Sequence, residues 1–250
     1  MKKAIIVGSS IEIDNNFDFN NLGTRSAFST EERARQTMFT LNSIKAHFPD
    51  DEIFLVDSST IKLKEHLKYP TIEGVNLVKI EDINKEVAQI IRTHHNKSYC
   101  EALLLKTFFD AYKEELSQFD FIIKTTGRYW FHTPIDTSMF NKNNIDKIFT
   151  KYEYIFDHPE KKEWGPIEFR IDGHPNYRVG NTPTVLYAWG KEAFHHIYNL
   201  WDFTLKNTQN TNYDVENIFY YWTHQHQIPQ YKLNWVMLGY GGNNAKFYSY

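Results

Sequence analysis

The chain is 250 residues long, 41% hydrophobic and 24% charged, with a formal net charge of −3. That length suits one large α/β domain with a sizeable core, and the acidic balance excludes the basic field through which nucleic-acid binding releases counterions. A single cysteine, Cys100, excludes an internal disulfide and a cysteine-built zinc site. Nucleic acid is therefore not an expected partner, and one cysteine suits a reducing, cytoplasmic location. No window approaches the ~18 apolar residues of a membrane span, so any membrane contact is expected to be peripheral.

The N-terminus MKKAIIVGSS has only four consecutive apolar residues, Ala4 to Val7, too few for a signal peptide. It predicts a first strand at about 4–8. The Asn-rich IDNNFDFNNLGTRSAF is read as a long loop. Ser29-x-x-Glu32 is a capping-box signature, and Ala34, Met38, Leu41, Ile44 and Phe48 recur at helical spacing, which predicts a helix over 30–48. Pro49-Asp50-Asp51 ends it, and EIFLVDSS predicts a second strand ending at Asp57.

Strand, helix, strand is a βαβ unit with parallel strands and a right-handed crossover. Ligands of such sheets sit beyond the carboxyl ends of the strands. Gly8, Ser9 and Ser10 after the first strand, and Asp57, Ser58 and Ser59 after the second, are thus expected to face one crevice. For Asp57, contact with a ribose or base competes with a plain strand-end turn.

VNLVKI at 75–80 predicts a third strand, and Ile83, Val87, Ile90 and Ile91 mark an amphipathic helix. A further helix over 99–115 carries Ala102, Leu105, Phe108, Phe109 and Tyr112 on a wide apolar face and leads into the strand FDFIIK. Beyond residue 150, YEYIFD, IEFRID and TVLYAW read as irregular, antiparallel strands between turn-rich segments. Helices are expected at about 191–206 and 212–226, and the tail YGGNNAKFYSY has no core periodicity. The expected organisation is a single domain over 1–250, a nucleotide-binding half at 1–132 followed by a mixed half at 133–250 for a second substrate.

No GxxxxGK[ST] loop, GxGxxG fingerprint or GxSxG elbow is present. Histidine pairs at 94–95 and 195–196 and the HxH at 224–226 lack an HExxH or a carboxylate pattern that would mark a metal site. What stands out is the run from residue 97 to 130. KSYCEALLLKTFFDAY followed by FDFIIKTTGRYW resembles the glycosyltransferases of bacterial surface-polysaccharide and lipopolysaccharide synthesis, written as a Glu-bearing helix and then a strand ending K-x-[ST]-G-R-Y. EERARQTMFTLNSIKAHFPDDEIFLVDSS is similar to the opening pattern of the same family, and the resemblance covers residues 1–132.

That resemblance implies an α/β, GT-A-like domain with a mostly parallel central sheet flanked by helices, binding a nucleotide-sugar donor and passing its sugar to a glycan or lipid-linked glycan. Gly8, Ser9, Arg25, Arg33, Asp57, Ser58, Glu101, Lys124, Thr126, Gly127 and Arg128 become the candidate donor-binding residues. Typical relatives end this strand in Asp-x-Asp, whose carboxylates hold a divalent Mn²⁺ or Mg²⁺ on the diphosphate. TTGR stands there instead, so the metal lacks its usual ligands and Arg128 offers a substitute, because a guanidinium bonds phosphate oxygens bidentately and neutralises leaving-group charge. Gly127 would let the backbone approach the ligand. The competing roles are an ion pair between Arg128 and Glu101, and a solvent-reaching Lys124.

An inverting transferase needs a carboxylate base near the acceptor hydroxyl. Candidates are Asp172 in RIDGHPNYRVGN and Glu216 in NYDVENIF, beside Asp214, which an N-cap role explains equally well. Trp130, His132, His174 and Arg178 are the candidate acceptor-binding residues. Inverting and retaining outcomes leave no signature here. The alternatives are a sugar-nucleotide nucleotidyltransferase, weakened by the lack of a Gly-rich basic loop after the first strand, and a non-catalytic nucleotide- or glycan-binding protein.

Overall fold

The computed structural model describes residues 1–12, 26–67, 72–132, 134–151, 153–157, 178–209, 214–241 and 245–249. Arg25, Asp172, His174, most of the Asn-rich segment and the expected strand IEFRID lie outside them.

The first half follows the hydrophobic pattern closely. Strand β1 (Lys3–Ser9) leads to helix α1 (Thr30–His47), strand β2 (Glu52–Asp57) and a short helix α2 (Leu63–His66). Strand β3 (Val75–Lys79) is followed by helices α3 (Ile80–Ile83), α4 (Lys85–Thr93) and α5 (Lys97–Leu116), then strand β4 (Phe121–Thr126). The single helix expected around 83–91 is two, because Asn84 is extended (φ −154°, ψ 107°) and its side chain accepts from the Val87 amide at 3.1 Å, capping α4.

The second half departs further from expectation. It contains strands β5 (Tyr129–Phe131), β6 (Ile148–Thr150), β7 (Tyr154–Asp157), β8 (Arg178–Asn181) and β9 (Leu186–Gly190). Helix α6 (Phe194–Thr208), entered through a 3₁₀ turn at Lys191–Ala193, and helix α7 (Val215–Gln225) precede strands β10 (Gln230–Lys232), β11 (Met237–Tyr240) and β12 (Phe247–Ser249). The tail is thus partly strand: β11 pairs with both β12 and β5 in an antiparallel three-stranded sheet.

The central sheet has seven strands in the order β10-β6-β9-β4-β1-β2-β3. β1 pairs in parallel with both β2 and β4, β2 with β3, and β6 with β10, while β9 runs against β4 and β6. The molecule is therefore α/β with a mostly parallel sheet. Strand residues alternate between two cores, as the pleat requires. Ala4 and Ile6 join Phe108, Phe109, Trp201 and Phe219 from the helices on one face. Ile5 and Val7 join Ala34, Leu41 and Ile44 of α1 and Leu63 of the short helix on the other. Such double-faced burial explains the unbroken apolar run AIIV in β1. No described helix is long and apolar enough to cross a membrane.

Candidate functional site

Strand order locates the site. From β1 the chain crosses through α1 to β2 on one side, and after β3 it returns through α3 to α5 to β4 on the other. Connections that leave neighbouring strands in opposite directions open a crevice at the carboxyl ends, here between β1 and β4. A cleft enclosing about 830 Å³, its open mouth included, occupies that position. Gly8–Ser10 and Thr126–Arg128 form its floor, the first turns of α1 supply Arg33 and Thr37, and α5 supplies Lys97, Cys100, Glu101, Leu104 and Leu105.

Caps fix both helix starts beside this floor. Ser29 Oγ accepts from the Glu32 amide at 3.2 Å while Glu32 Oε2 accepts from the Ser29 amide at 2.8 Å, completing the capping box. Asn96 Oδ1 accepts from the Tyr99 amide at 3.0 Å at the start of α5, and its Nδ2 donates to the Thr208 carbonyl at 3.0 Å. The positive ends of two helix dipoles thereby meet the cleft.

Of the donor-binding candidates, Gly8, Ser9, Arg33, Glu101, Lys124, Thr126, Gly127 and Arg128 come together in this cleft. Arg33 is 7% exposed; its Nε donates to the Ser10 carbonyl at 2.7 Å and its Nη1 to Ser26 Oγ at 3.1 Å, so it also shapes the chain leaving β1. Gly127 has a packing reason beyond ligand approach. Its amide donates to the Gly8 carbonyl at 3.0 Å, and a Cβ there would stand 2.9 Å from Thr37 Oγ1 and 3.1 Å from Ser9 Oγ.

Glu101 pairs with Lys124 rather than with Arg128. The Lys124 ammonium, 1% exposed, donates to Glu101 Oε1 and, at 2.9 Å, to the Thr184 carbonyl. The Tyr187 ring lies 5.4 Å beneath it. Lys124 is thus a buried cation and not a strand lysine reaching solvent.

Asp57 and Ser58 stand behind the cleft. The buried Asp57 carboxylate accepts from the Ile11 amide at 3.0 Å and the Ser59 amide at 2.7 Å, and Ser58 Oγ meets Ser10 Oγ at 2.8 Å. Both brace the loop after β1, so the strand-end turn is the role the geometry gives Asp57.

Glu216 is likewise not among the cleft-lining residues. Its Oε1 accepts from Thr184 Oγ1 at 3.1 Å, one residue behind the Lys124–Glu101 pair. Burial, then the nearby charges of Glu101 and Asp214, push its carboxyl up to about 7. Asp214 occupies the N-cap position of α7, though its side chain makes no capping bond.

Among the acceptor-binding candidates, Trp130 lies in a part-exposed aromatic group, 6.2 Å from Phe39, 6.0 Å from Tyr240 and 6.1 Å from Phe247 between ring centres. Arg128 joins that group to the cleft, since its carbonyl accepts from the Tyr240 amide at 3.4 Å. His132 is exposed just after β5, and Arg178 opens β8 opposite Asp157.

Thr37, Lys97 and Cys100 line the cleft without having been singled out by motif. Helical spacing would have found them: Thr37 lies one turn after Arg33, and Lys97, Cys100, Glu101 and Leu104 share one face of α5. Among the described residues, no group of three or more His, Cys, Asp or Glu side chains is placed to hold a metal ion. No protein-family model matches the chain, and no curated protein matches it.

Proposed function

We propose that the chain is a glycosyltransferase of GT-A-like fold, taking a sugar from a nucleotide-sugar donor to a glycan or lipid-linked glycan of a surface polysaccharide. One observation carries this reading. Arg33, Lys97, Lys124 and Arg128 line the switch-point cleft against a single carboxylate among the described lining residues, in a chain whose net charge is −3. Positive charge gathered at two helix starts, with Arg33 and Lys97, and at the end of β4, with Lys124 and Arg128, favours a polyanion of diphosphate size on an acidic molecule. The mostly parallel sheet is compatible with the GT-A architecture, and the KTTGRYW resemblance supplies the reaction class.

In the proposed reaction, the bond from the anomeric carbon to the β-phosphate oxygen breaks as an acceptor hydroxyl oxygen bonds to that carbon. The nucleoside diphosphate leaves with the electron pair, and Arg128 with its cationic neighbours stabilises the charge it gains. The hydroxyl proton needs a carboxylate base. Glu216 sits behind Thr184, so this role is assigned to Asp172 on sequence grounds. The part-exposed Trp130 group beside the Arg128 backbone supports acceptor binding there.

The test is turnover. Incubated with UDP-, GDP-, dTDP- and CMP-sugars and a lipid-linked glycan acceptor, with and without Mn²⁺, the protein should release nucleoside phosphate from one donor series, and Arg128→Ala should cut that rate at least about tenfold. Nucleotide binding without release from any donor would instead favour a non-catalytic binding protein, and pyrophosphate formation a nucleotidyltransferase.

A further inference from the structure

Beside the cleft, the turn between α4 and α5 carries a group of rings to which no role has yet been given. His94 and His95 stack, with ring centres 4.4 Å apart and planes 22° from parallel. The His94 ring is also 4.5 Å from that of Tyr99 in the first turn of α5. His95 is exposed, and among the described residues the group ends on it. The turn is held against the site from both sides. Ile91 before it and Lys97 and Cys100 after it line the cleft, and Cys100 Sγ donates to the His94 carbonyl at 3.7 Å. Arg92 Nη1 donates to the Ser58 carbonyl at 2.8 Å, tying the end of α4 to the chain just beyond β2.

The His94 ring is preset. The Asn96 amide donates to its Nδ1 at 3.1 Å, so that nitrogen keeps its lone pair and the ring is neutral, with its proton on Nε2. Asn96 is itself fixed by its bonds to the Tyr99 amide and the Thr208 carbonyl. A preset aromatic group loses little freedom on binding and offers a face on which a planar heteroaromatic ring can stack. Lys97 follows His95 by two residues, at most about 7 Å along the chain. That is close to the span of the ribose that joins a base to its phosphate.

We propose that His95, backed by His94, is the platform on which the nucleobase of the ligand stacks, with Lys97 meeting its phosphate end. This rests on the nucleotide-sugar reading above and adds where the base is recognised. Stacking reads the ring face, which every base has. The platform therefore selects nucleotides over sugar phosphates and inorganic phosphates, and does not by itself choose one base over another.

Isothermal titration of UMP, GMP, dTMP and CMP against ribose 5-phosphate, which has sugar and phosphate but no base, tests this, with pyrophosphate as the ligand of phosphate alone. The wild-type protein should bind at least one nucleotide about tenfold tighter than ribose 5-phosphate. His95→Ala should abolish that advantage and leave ribose 5-phosphate and pyrophosphate binding unchanged, whereas His95→Phe, which restores a ring, should keep it. Because His95 is exposed, both variants should melt with the wild type. An advantage that survives in His95→Ala, or is lost equally in His95→Phe, would overturn the proposal, as would a matching loss of pyrophosphate binding. A wild type that binds pyrophosphate but prefers no nucleotide to ribose 5-phosphate would overturn the base platform alone. A wild type that binds neither pyrophosphate nor any nucleotide would overturn the nucleotide-sugar reading, and the platform with it.

Discussion

A lysine that is 1% exposed needs a counter-charge and hydrogen-bond acceptors, and Lys124 has both in Glu101 and the Thr184 carbonyl. Behind that pair, burial first and then the charges of Glu101 and Asp214 push Glu216 from the ordinary 4.5 up to about 7. A carboxyl whose folded value is raised binds its proton more tightly in the folded state. Its contribution to stability is therefore complete below 4.5 and fades as pH rises through about 7. Glu216→Gln keeps an acceptor for Thr184 Oγ1 and removes the titration. Its melting temperature should match the wild type near pH 5 and exceed it by about 5 °C near pH 8, as read from thermal melts across that range. A constant gap between the two proteins at every pH would show that Glu216 does not titrate in this way. None of this was readable along the chain, because Glu101, Lys124, Thr184 and Glu216 are joined by tertiary contacts. Arg33 and Arg128 were readable, since each follows a strand or cap that the hydrophobic pattern marks.

Among the elements, α1 and α5 decide the width of the cleft. The start of α1 was legible because its capping box is a local pattern. The start of α5 is two residues earlier than the periodicity suggested, since Asn96 caps it both locally and by reaching the Thr208 carbonyl of α6. Asn96→Ala should cost about 1–2 kcal/mol in urea unfolding and loosen the wall that carries Lys97 and Glu101. Loss of stability with unchanged nucleotide binding would detach the cap from the site. Strands β5, β11 and β12 were not legible for a different reason. Each has only three or four residues, and the pairing of Trp130 with Leu238 and of Tyr129 with Gly239 is long-range. Gly239 shows how little local signal such contacts leave: a Cβ there would lie 2.3 Å from the Tyr129 ring.

At the scale of the whole molecule, a −3 chain holds four cationic side chains among the described residues that line the crevice between β1 and β4. The parallel order of β1, β2, β3 and β4 makes that crevice, and the sequence foretold it through strand, helix, strand in the first 58 residues. The antiparallel β9 and the paired β6 and β10 complete the sheet without adding to the cleft floor. TVLYAW was legible as an antiparallel strand and forms β9, whereas the short runs of β6 and β10 gave no hint of joining the sheet. The central claim, a site for the phosphate groups of a nucleotide, is tested most directly by titrating UDP, GDP, dTDP and CMP into the wild-type protein and into Arg128→Ala. At least one nucleotide should bind the wild type with micromolar affinity and bind Arg128→Ala at least about tenfold more weakly. Absence of binding by any of the four, or equal affinity in the two proteins, would contradict it.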